Sequence, residues 1–413
     1  MKILFIDQNF DATNIGGAFK SNYAIINEFI KDPMFEVSVL ATKARNVKNK
    51  YFSVKRITPI LNFPSKKINQ YFNFLPIFKE VKKFKPNVII VQRDNTFSAL
   101  LTGFLLKVPV INIIRDAMEF CPKNIDTKGF RNCSIKLSKN ECWECIHRWR
   151  TLRISFEDKP KGSNKTLRSS FYTVFYKIQY FFTKVHLSLM KYAYANVVAS
   201  PLMKQLVEKR VRSNRILVKR ITPIDKASIL ITSSNLNKEV VEKIKNSSKI
   251  ILFIIPRNEG GSKGYPFMKK LLKVFPKEYL ILFVGTIINE LKNYHNVINI
   301  DKIPTNNLYY LYQKADLTLM PSIYTEAFGR VVLESIINKT PVIVSPQTGA
   351  NYLFKDKKYV KIVPLKINLW VKEIKKILEK PVIIPDNDIK QLEEKFSPKK
   401  CASEIINLVS SIK

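Results

Sequence analysis

Residues 316–354 read DLTLMPSIYTEAFGRVVLESIINKTPVIVSPQTGANYLF. The pattern predicts a buried strand over Asp316–Met320, a loop over Pro321–Ala327, a helix over Phe328–Asn338 and a second strand over Pro341–Ser345. A strand, loop, helix and strand in this order indicate an α/β domain. In such domains ligands bind at the carboxyl ends of the parallel strands.

Two glutamates stand at this strand end. Glu326 lies in the predicted loop and Glu334 follows eight positions later on the predicted helix. Gly329 lets the backbone approach a ligand closely, and the first N–H groups of the helix, from Phe328 onward, point toward the same place. The unit therefore offers two carboxylates for sugar hydroxyls and several amide donors for negative charge. The alternative is that both glutamates are solvated helix carboxylates.

The spacing Glu-x7-Glu stands within PS-x3-E-x-FG-x4-E and is followed by PVIVS and a glycine. This arrangement resembles the donor-site signature of the family 4 retaining glycosyltransferases. The resemblance implies the GT-B fold, an α/β architecture of two Rossmann-like doubly wound domains facing across a cleft. It further implies that the second domain holds a nucleotide sugar and the first an acceptor.

The 413 residues suffice for two domains of about 200, and 46% are apolar. The formal net charge of +37 indicates a polyanionic partner, an anionic membrane surface or a lysine-rich proteome. Residues 1–225 contain 40 Lys and Arg against 16 Asp and Glu, and the remainder contains 30 against 17. The first domain is therefore expected to be the more basic.

No secretory signal is predicted, because the apolar run after Lys2 stops at Asp7 and indicates a first strand. Residues 97–114 come nearest to a membrane span, but Lys107 and Pro109 divide them into a helix and a strand. The expected location is cytoplasmic, with any membrane contact peripheral.

The first domain is predicted to alternate strands and helices, which indicates a parallel sheet. Gly16 and Gly17 lie between the first strand and a helical pattern over Phe19–Phe29. Such a pair lets backbone N–H groups reach a phosphate or sugar oxygen, and the alternative is a simple turn. The resembling family places a glycine pair here, at the lip of the cleft facing the donor.

The strand over Val110–Ile114 ends at Arg115-Asp116. The resembling family usually has His-Asp here, with the histidine near the reacting sugar. Arg115 replaces that histidine, so its role does not transfer. Asp116 matches the family, which implies a place near acceptor or donor hydroxyls, and the alternative is a capping or loop aspartate.

Four of the five cysteines, namely Cys121, Cys133, Cys142 and Cys145, lie within 25 residues. Since a disulfide is disfavoured in a reducing cytoplasm, the cluster predicts a tetrahedral structural Zn²⁺ site or, second, an iron–sulfur cluster. A redox pair or separate thiols are the alternatives, because the gaps match no tight zinc-finger spacing.

Residues 148–194 combine basic and aromatic side chains. On a helix, an apolar stripe would form from Phe171, Phe175, Ile178, Phe182, Val185 and Leu189. The stripe fits a helix packed on its own domain. It also fits an interfacial helix on anionic lipid, with Arg150, Arg153, Lys159, Lys161, Lys165 and Arg168 nearby. Polynucleotide binding is the least favoured alternative.

The second domain is predicted to open with a strand over Ile250–Ile255, followed by a glycine-rich loop that carries Arg257 and Lys263. Two cations and loop amides can hold a diphosphate, and the resemblance implies this clamp. The family's preceding glycine is Pro256 here, and solvated loop cations are the alternative. Gly285 ends another strand and is expected under the nucleotide. Asp386–Asp388 are expected in a loop and not at a metal site.

The predicted division is an acceptor-side domain over 1–220 with a cysteine-containing insertion near 117–190, a nucleotide-sugar domain over 221–395, and a final helix over 396–413 that packs back on the first domain. The predicted function is hexosyl transfer with retention from a UDP- or GDP-sugar to a glycan or polyprenyl-linked acceptor. Protein cations would replace a catalytic divalent metal. Nucleic acid is disfavoured as a partner.

Two alternatives from other classes stay open. One is a non-catalytic polyanion-binding protein that keeps the fold, which the net charge favours. The other is a sugar phosphorylase or a nucleotide-sugar epimerase on the same architecture.

Overall fold

The computed structural model describes residues 1–11, 17–45, 53–57, 71–121, 127–128, 131–132, 140–142, 144–145, 165–211, 213, 215–226, 229–255 and 263–412. The chain divides into two compact units. Unit 1 comprises Met1–Ile221 together with Ala402–Lys413, and unit 2 comprises Thr222–Cys401.

Unit 1 is built on a seven-stranded sheet. Its strands are β1 (Lys2–Asp11), β2 (Glu36–Arg45), β3 (Ser53–Arg56), β4 (Val88–Gln92), β5 (Val110–Ile114), β8 (Ala195–Val198) and β9 (Ile216–Val218), while β6 (Thr127–Lys128) and β7 (Arg131–Asn132) form a separate antiparallel pair. The helices are α1 (Gly17–Ile30), α2 (Phe74–Phe84), α3 (Thr96–Leu106), α4 (Lys165–Leu189) and α5 (Pro201–Glu208).

The strand order of this sheet is β3-β2-β1-β4-β5-β8-β9, and every pairing is parallel. Strands β4 and β5 are buried along their whole length, which explains their continuous apolar sequences. The order reverses between β1 and β4, and in such sheets a crevice for ligands opens at this switch point.

Unit 2 repeats the design with six parallel strands in the order β12-β11-β10-β13-β14-β15. The strands are β10 (Ile250–Ile254), β11 (Leu280–Val284), β12 (Val297–Ile300), β13 (Leu317–Met320), β14 (Val342–Val344) and β15 (Val360–Ile362). The helices are α6 (Lys238–Lys245), α7 (Tyr265–Leu272), α8 (Thr305–Lys314), α9 (Arg330–Ile337), α10 (Ile367–Glu379) and α11 (Asp386–Lys395). The switch point lies between β10 and β13.

The predicted fold class, an α/β chain with two Rossmann-like doubly wound sheets, is confirmed. The helix predicted over Phe328–Asn338 begins later, at Arg330, because Gly329 before it has φ +87°. The first strand runs four residues beyond Asp7 as an extended partner of β2. These differences concern the ends of elements and not their order.

The prediction that Asp386–Asp388 lie in a loop is wrong, because Asp386 begins helix α11 directly after Pro385. Acidic residues in the first turn favour a helix there through its dipole. Asp388 accepts hydrogen bonds from Lys357 and from the Tyr359 hydroxyl at 2.8 Å, and these contacts lower the pKa of the Asp388 carboxyl. Both bonds join α11 to the segment around β15.

A further helix, α12 (Pro398–Ser410), ends the described chain, and its residues from Ala402 onward belong to unit 1. Glu404 forms ion pairs with Lys219, at 3.3 Å, and with Arg220. The Tyr194 hydroxyl donates to the carbonyl oxygen of Ser411 at 2.9 Å. These bonds join α12 and the residue after it to the segments around β8 and β9 of unit 1.

The core of unit 2 is centred on Trp370 of α10, whose side chain is fully buried. Its ring lies 5.2 Å from that of Phe267 on α7, and its Nε1–H donates to the Pro364 carbonyl at 2.9 Å. Packing and a satisfied polar atom together fix α10 and α7 against one face of the sheet.

Within the described ranges, no helix combines the length and the apolar character that crossing a bilayer requires.

We expect Trp370→Ala to lower the free energy of unfolding by about 3–5 kcal/mol, because it leaves a cavity and removes the hydrogen bond from the indole Nε1–H to the Pro364 carbonyl. Urea unfolding followed by circular dichroism measures the change. The control is Ile383→Ala, at a side chain that is 88% exposed, where we expect less than about 0.5 kcal/mol. Equal unfolding midpoints for the two variants would contradict this account of the core.

Candidate functional site

The loop Pro321–Gly329, which follows β13, is tied to the loop that follows β14. The Glu326 amide donates to the Gln347 carbonyl at 2.9 Å, and the Gly349 amide donates to the Glu326 carbonyl at 3.0 Å. Glu326 and Thr348 form an isolated parallel bridge. The backbone of Glu326 is therefore held at the carboxyl end of two adjacent strands, where open α/β sheets bind ligands.

The Glu326 carboxylate is largely buried and forms an ion pair with Lys263, which follows β10. The Ser322 hydroxyl donates to the same carboxylate oxygen at 3.2 Å. The Lys263 Nζ also lies 4.8 Å from the centre of the Tyr324 ring. The structure thus brings together two residues that sequence analysis placed at the site, Glu326 and Lys263, although they are 63 positions apart.

Two glycines allow this close approach. Gly264, beside Lys263, has φ +91°, and a Cβ there would lie 2.0 Å from the Pro321 carbonyl oxygen. Gly329 has φ +87°, and a Cβ there would lie 2.6 Å from Thr348 Cγ2. A side chain at Gly264 would push the Lys263 segment away from the loop that begins at Pro321, and a side chain at Gly329 would clash with Thr348 in the loop after β14.

Glu334 lies one turn into α9 and is also largely buried. The Arg330 Nε–H donates to Glu334 Oε1 at 2.5 Å, and the Tyr312 hydroxyl donates to Oε2 at 3.3 Å. Burial by itself would lower the pKa of Arg330, but the adjacent Glu334 carboxylate and the Tyr309 hydroxyl together offset this, and the pKa is raised. The guanidinium is therefore charged and compensates the carboxylate.

Two tyrosines of α8 border this pair. Burial, and next the negative charge of Glu334, raise the pKa values of Tyr309 and Tyr312 above the ordinary range. Both phenols stay protonated near neutral pH, so that of Tyr312 can donate to the Glu334 carboxylate. The pair is thereby fixed from two helices, α8 and α9.

The remaining predicted donor residues lie on the same unit. Phe328 is buried with its ring 5.5 Å from that of Phe396, and its carbonyl accepts a hydrogen bond from the Ala350 amide. Gly285 follows β11 directly, and its amide donates to the Ile300 carbonyl at 2.9 Å. Arg257 lies outside the described residues.

In unit 1, Asp116 follows β5 and is partly buried. Its neighbour Arg115 donates from Nε to Gln92 Oε1 at 2.9 Å and from a terminal nitrogen to the Ile221 carbonyl at 2.5 Å. Gln92 in turn donates to the buried Asp7 carboxylate at 2.6 Å. Arg115 and Gln92 thus connect β1, β4 and β5 to Ile221, where the first segment of the unit ends.

The glycine pair is only half described, since Gly17 begins α1 whereas Gly16 lies outside the described residues. Cys133 also lies outside them, while Cys121 is buried and Cys142 and Cys145 are partly buried. Among the residues that the structure places, no group of three or more Cys, His, Asp or Glu side chains is arranged to hold a metal ion. The four-cysteine site stays a prediction.

The predicted apolar stripe of α4 packs on the unit's own core at Phe182 and Leu189. The Phe182 ring stacks on Tyr71 at 4.3 Å and meets Phe97 edge-on at 5.6 Å, and Leu189 is buried. Self-packing therefore accounts for Phe182 and Leu189. Ile178 remains 40% exposed. The side chains of Phe171 and Phe175, and those of the six basic residues from Arg150 to Arg168, lie outside the described residues.

Sequence analysis did not single out Arg330, Ser322 or Tyr312. The spacing of Arg330 and Glu334, four residues apart on a predicted helix, was a usable signal for an ion pair. Tyr312 carries no such signal, because it reaches Glu334 from another helix.

A family model described as "Glycosyl transferases group 1" matches residues 238–396, which all lie in unit 2. This stretch includes Lys263, Gly285, Glu326 and Glu334. No curated protein sequence matches the chain.

Solved structures resemble the whole chain. A sucrose-phosphate synthase from Thermosynechococcus elongatus aligns with a TM-score of 0.67 at 13% identity, covering 100% of this chain and 98% of that one. HepE of Anabaena in complex with UDP and glucose aligns with a TM-score of 0.66 at 15% identity, covering 100% of both chains. WaaG, a glycosyltransferase involved in lipopolysaccharide biosynthesis, aligns with a TM-score of 0.64 at 13% identity, covering 99% and 100%. At these identities the likeness establishes the fold.

We expect Arg330→Met to destabilise unit 2 by about 3–5 kcal/mol, because the buried Glu334 carboxylate loses its counter-charge. Adding Glu334→Gln to Arg330→Met should recover most of that lost stability. Urea unfolding of the wild type, the two single variants and the double variant measures the coupling between the two residues. As a control, Lys243→Met removes the exposed pair with Glu239 at 2.8 Å on α6 and should leave the midpoint unchanged. Additive losses in the double variant would contradict a coupled pair.

Proposed function

We propose that this chain is a retaining glycosyltransferase of the hexosyltransferase class that uses a nucleotide-diphosphate sugar. The observation that carries the proposal is the ion pair of Lys263 and Glu326, which follow the two strands at the switch point of unit 2, together with the Arg330–Glu334 pair on the next helix, α9. Both pairs lie inside the region that matches the glycosyl transferase family model. Two carboxylates suit sugar hydroxyls, and a cation beside a strand end suits a phosphate.

On donor binding, Lys263 would exchange its Glu326 partner for the diphosphate, joined by Arg257 from the same glycine-rich loop. Backbone amides near Phe328 and Gly329 would add donors. Glu334, held by Arg330, would accept from the ribose hydroxyls, with Gly285 beneath the nucleotide and Gly16 and Gly17 near the donor. UDP and glucose, which the HepE structure contains, support a UDP-sugar, and a GDP-sugar is the alternative.

In the reaction, the bond between the anomeric carbon and the diphosphate oxygen breaks, and a bond from that carbon to an acceptor hydroxyl oxygen forms on the same face. Lys263 and Arg257 would stabilise the negative charge that develops on the diphosphate, so that no divalent metal is required. Freed from Lys263, Glu326 would bind the transferred sugar and stabilise positive character at its anomeric carbon. The acceptor proton would pass to the departing phosphate.

The acceptor would be a glycan or a polyprenyl-linked glycan, bound by the basic unit 1 with Asp116 near its hydroxyls. The likeness to WaaG supports an acceptor of this kind and a role in polysaccharide biosynthesis. We place the enzyme in the cytoplasm, peripheral on the inner face of the cell membrane. The four cysteines of unit 1 would hold a structural zinc ion beside the acceptor.

We expect one nucleotide among UDP, GDP, ADP and CMP to raise the melting temperature of the protein. The shift should disappear in Glu334→Ala, Arg257→Ala and Lys263→Ala, which remove ribose or diphosphate contacts. Lys269 of α7 is exposed and pairs with Glu290 at 2.5 Å, and Lys269→Ala should leave the nucleotide-induced rise in melting temperature unchanged. A folded protein that shows no shift at low salt, but binds DNA in a salt-sensitive manner, would instead be a polyanion-binding protein.

Glu326→Gln should retain the nucleotide-induced shift while lowering the transfer rate about a hundredfold, because the transition state loses a stabilising charge. The anomeric configuration of the product, measured by NMR, tests retention. An unchanged transfer rate in Glu326→Gln would show that the Glu326 charge does not stabilise the transition state. Phosphorolysis without a nucleotide, or sugar release without an acceptor, would indicate a phosphorylase or an epimerase.

We expect about one zinc ion for each chain in the purified protein, measured by plasma mass spectrometry. Cys142→Ser and Cys145→Ser should abolish it, whereas Cys401→Ser, at a buried cysteine of unit 2, should not. Metal-free protein with an unchanged melting temperature would exclude a structural zinc.

A further inference from the structure

One helical surface of unit 1 exposes large apolar side chains. It is formed by α2, α3, the C-terminal part of α4 and the turn that follows α4, and we call it the three-helix face. Its exposed apolar residues are Leu75, Phe104, Leu105, Ile178, Phe181 and Tyr192. Phe181 and Tyr192, with 61% and 68% exposure, project furthest into solvent. Isolated exposed apolar residues are ordinary on proteins, but six on adjacent helices are not.

Aromatic contacts between the helices make this surface continuous. The Tyr71 ring, just before α2, stacks on Phe182 of α4, and Phe97 of α3 meets both rings. At the other end of α3, the Phe104 ring lies 4.9 Å from that of Tyr192. The exposed residues therefore lie on helices that pack against one another and whose inner side contacts the core of unit 1.

Lysines accompany the apolar residues. The exposed charged side chains that the structure describes on the three helices and on the turns that directly follow them are Lys79, Lys82, Lys83, Lys85, Lys107, Lys177, Lys184 and Lys191. The carboxylate of α2, Glu80, pairs with Lys55 of β3 at 2.6 Å. His186 of α4 is buried and faces Glu119, with Nε2 3.9 Å from Oε2. Every exposed charged side chain that the structure describes on this face is therefore basic.

Two helices of unit 2, α10 and α11, differ in this respect. On α10 and α11 the lysines alternate with glutamates and aspartates in the sequence. The two most exposed apolar residues of that unit, Leu230 and Ile383, lie outside its helices. Among the described residues, the combination of exposed apolar side chains with exclusively basic exposed charges therefore distinguishes the three-helix face from α10 and α11.

We propose that the three-helix face docks on an anionic lipid bilayer. Phe104, Leu105, Phe181 and Ile178 would enter the boundary between headgroups and acyl chains, Tyr192 would lie at headgroup level, and the lysines would extend to lipid phosphates. A second copy of this chain fits poorly, since two such faces would bring like charges together.

This proposal rests on the proposed function for its choice of a bilayer, because a polyprenyl-linked acceptor resides there. The proposed lipid-binding surface differs from the stripe predicted on α4, because Phe182 and Leu189 of that stripe pack on unit 1 itself. The apolar residues come from three helices rather than one. Periodicity within a single helix therefore could not identify this face.

The test is flotation of the full chain with phosphatidylcholine vesicles, with and without phosphatidylglycerol. We expect binding only to the anionic vesicles and release at high salt. The apolar variant, Leu105→Ser with Phe181→Ser, and the charge variant, Lys184→Glu with Lys191→Glu, should each lower the partition coefficient at least about tenfold. All four positions are exposed, so both variants should fold.

Matched controls make the same changes on unit 2. Ile383→Ser with Leu230→Ser, and Lys372→Glu with Lys375→Glu on α10, should leave flotation unchanged. Equal loss in the control and face variants would overturn the proposal, as would equal binding to neutral vesicles or no binding. A wild-type dimer that the face variants dissociate would identify a second copy as the occupant and also overturn it. The nucleotide-induced melting shift, measured on the same proteins, separates this failure from a failure of the donor site.

Discussion

The candidate site depends on the docking of one loop on another. The segment after β13 is fixed by hydrogen bonds from and to the backbone of Glu326, and the partner segment follows the next strand, β14. Without those bonds, the position of the Glu326 carboxylate at the strand ends would not be fixed. Gly264 and Gly329 serve the same arrangement, because a Cβ at Gly264 would clash with the Pro321 carbonyl and a Cβ at Gly329 would clash with the Thr348 side chain. The chemistry of the site therefore depends on backbone contacts more than on its charged side chains.

The two glutamates of this site each have a cationic partner. Glu326 is paired with Lys263, and Glu334 with Arg330. The two pairs differ in their bonding, since Lys263 is a flexible point charge on a loop, whereas Arg330 is fixed on the same helix as its partner. A phosphate can compete for the first cation, while the second pair keeps its geometry. A ligand can therefore change the partner of Lys263, whereas Arg330 keeps Glu334 in one position.

Much of this architecture could be predicted from the sequence, because buried parallel strands are continuous apolar runs and glycines mark their ends. The strand before Glu326 and the order of elements around it followed from that pattern. Other features could not be predicted for physical reasons. The pairing of Lys263 with Glu326 joins positions far apart in the chain, and Tyr312 reaches Glu334 across a helix boundary. Asp386–Asp388 resembled a loop because Pro385 precedes them, although proline is also common just before a helix begins. The stripe on α4 predicted an apolar face without revealing what covers it.

The division of the chain has a consequence for biosynthesis. Unit 2 is one continuous stretch, whereas unit 1 needs Ala402–Lys413 as well as Met1–Ile221. On the ribosome, unit 2 therefore emerges complete before unit 1 has received its last element. Until then Lys219 and Arg220 lack Glu404, and Tyr194 lacks Ser411. The first half of the chain to be synthesised is thus the last to be completed, and a fragment cut at Ile221 would lack part of its own fold.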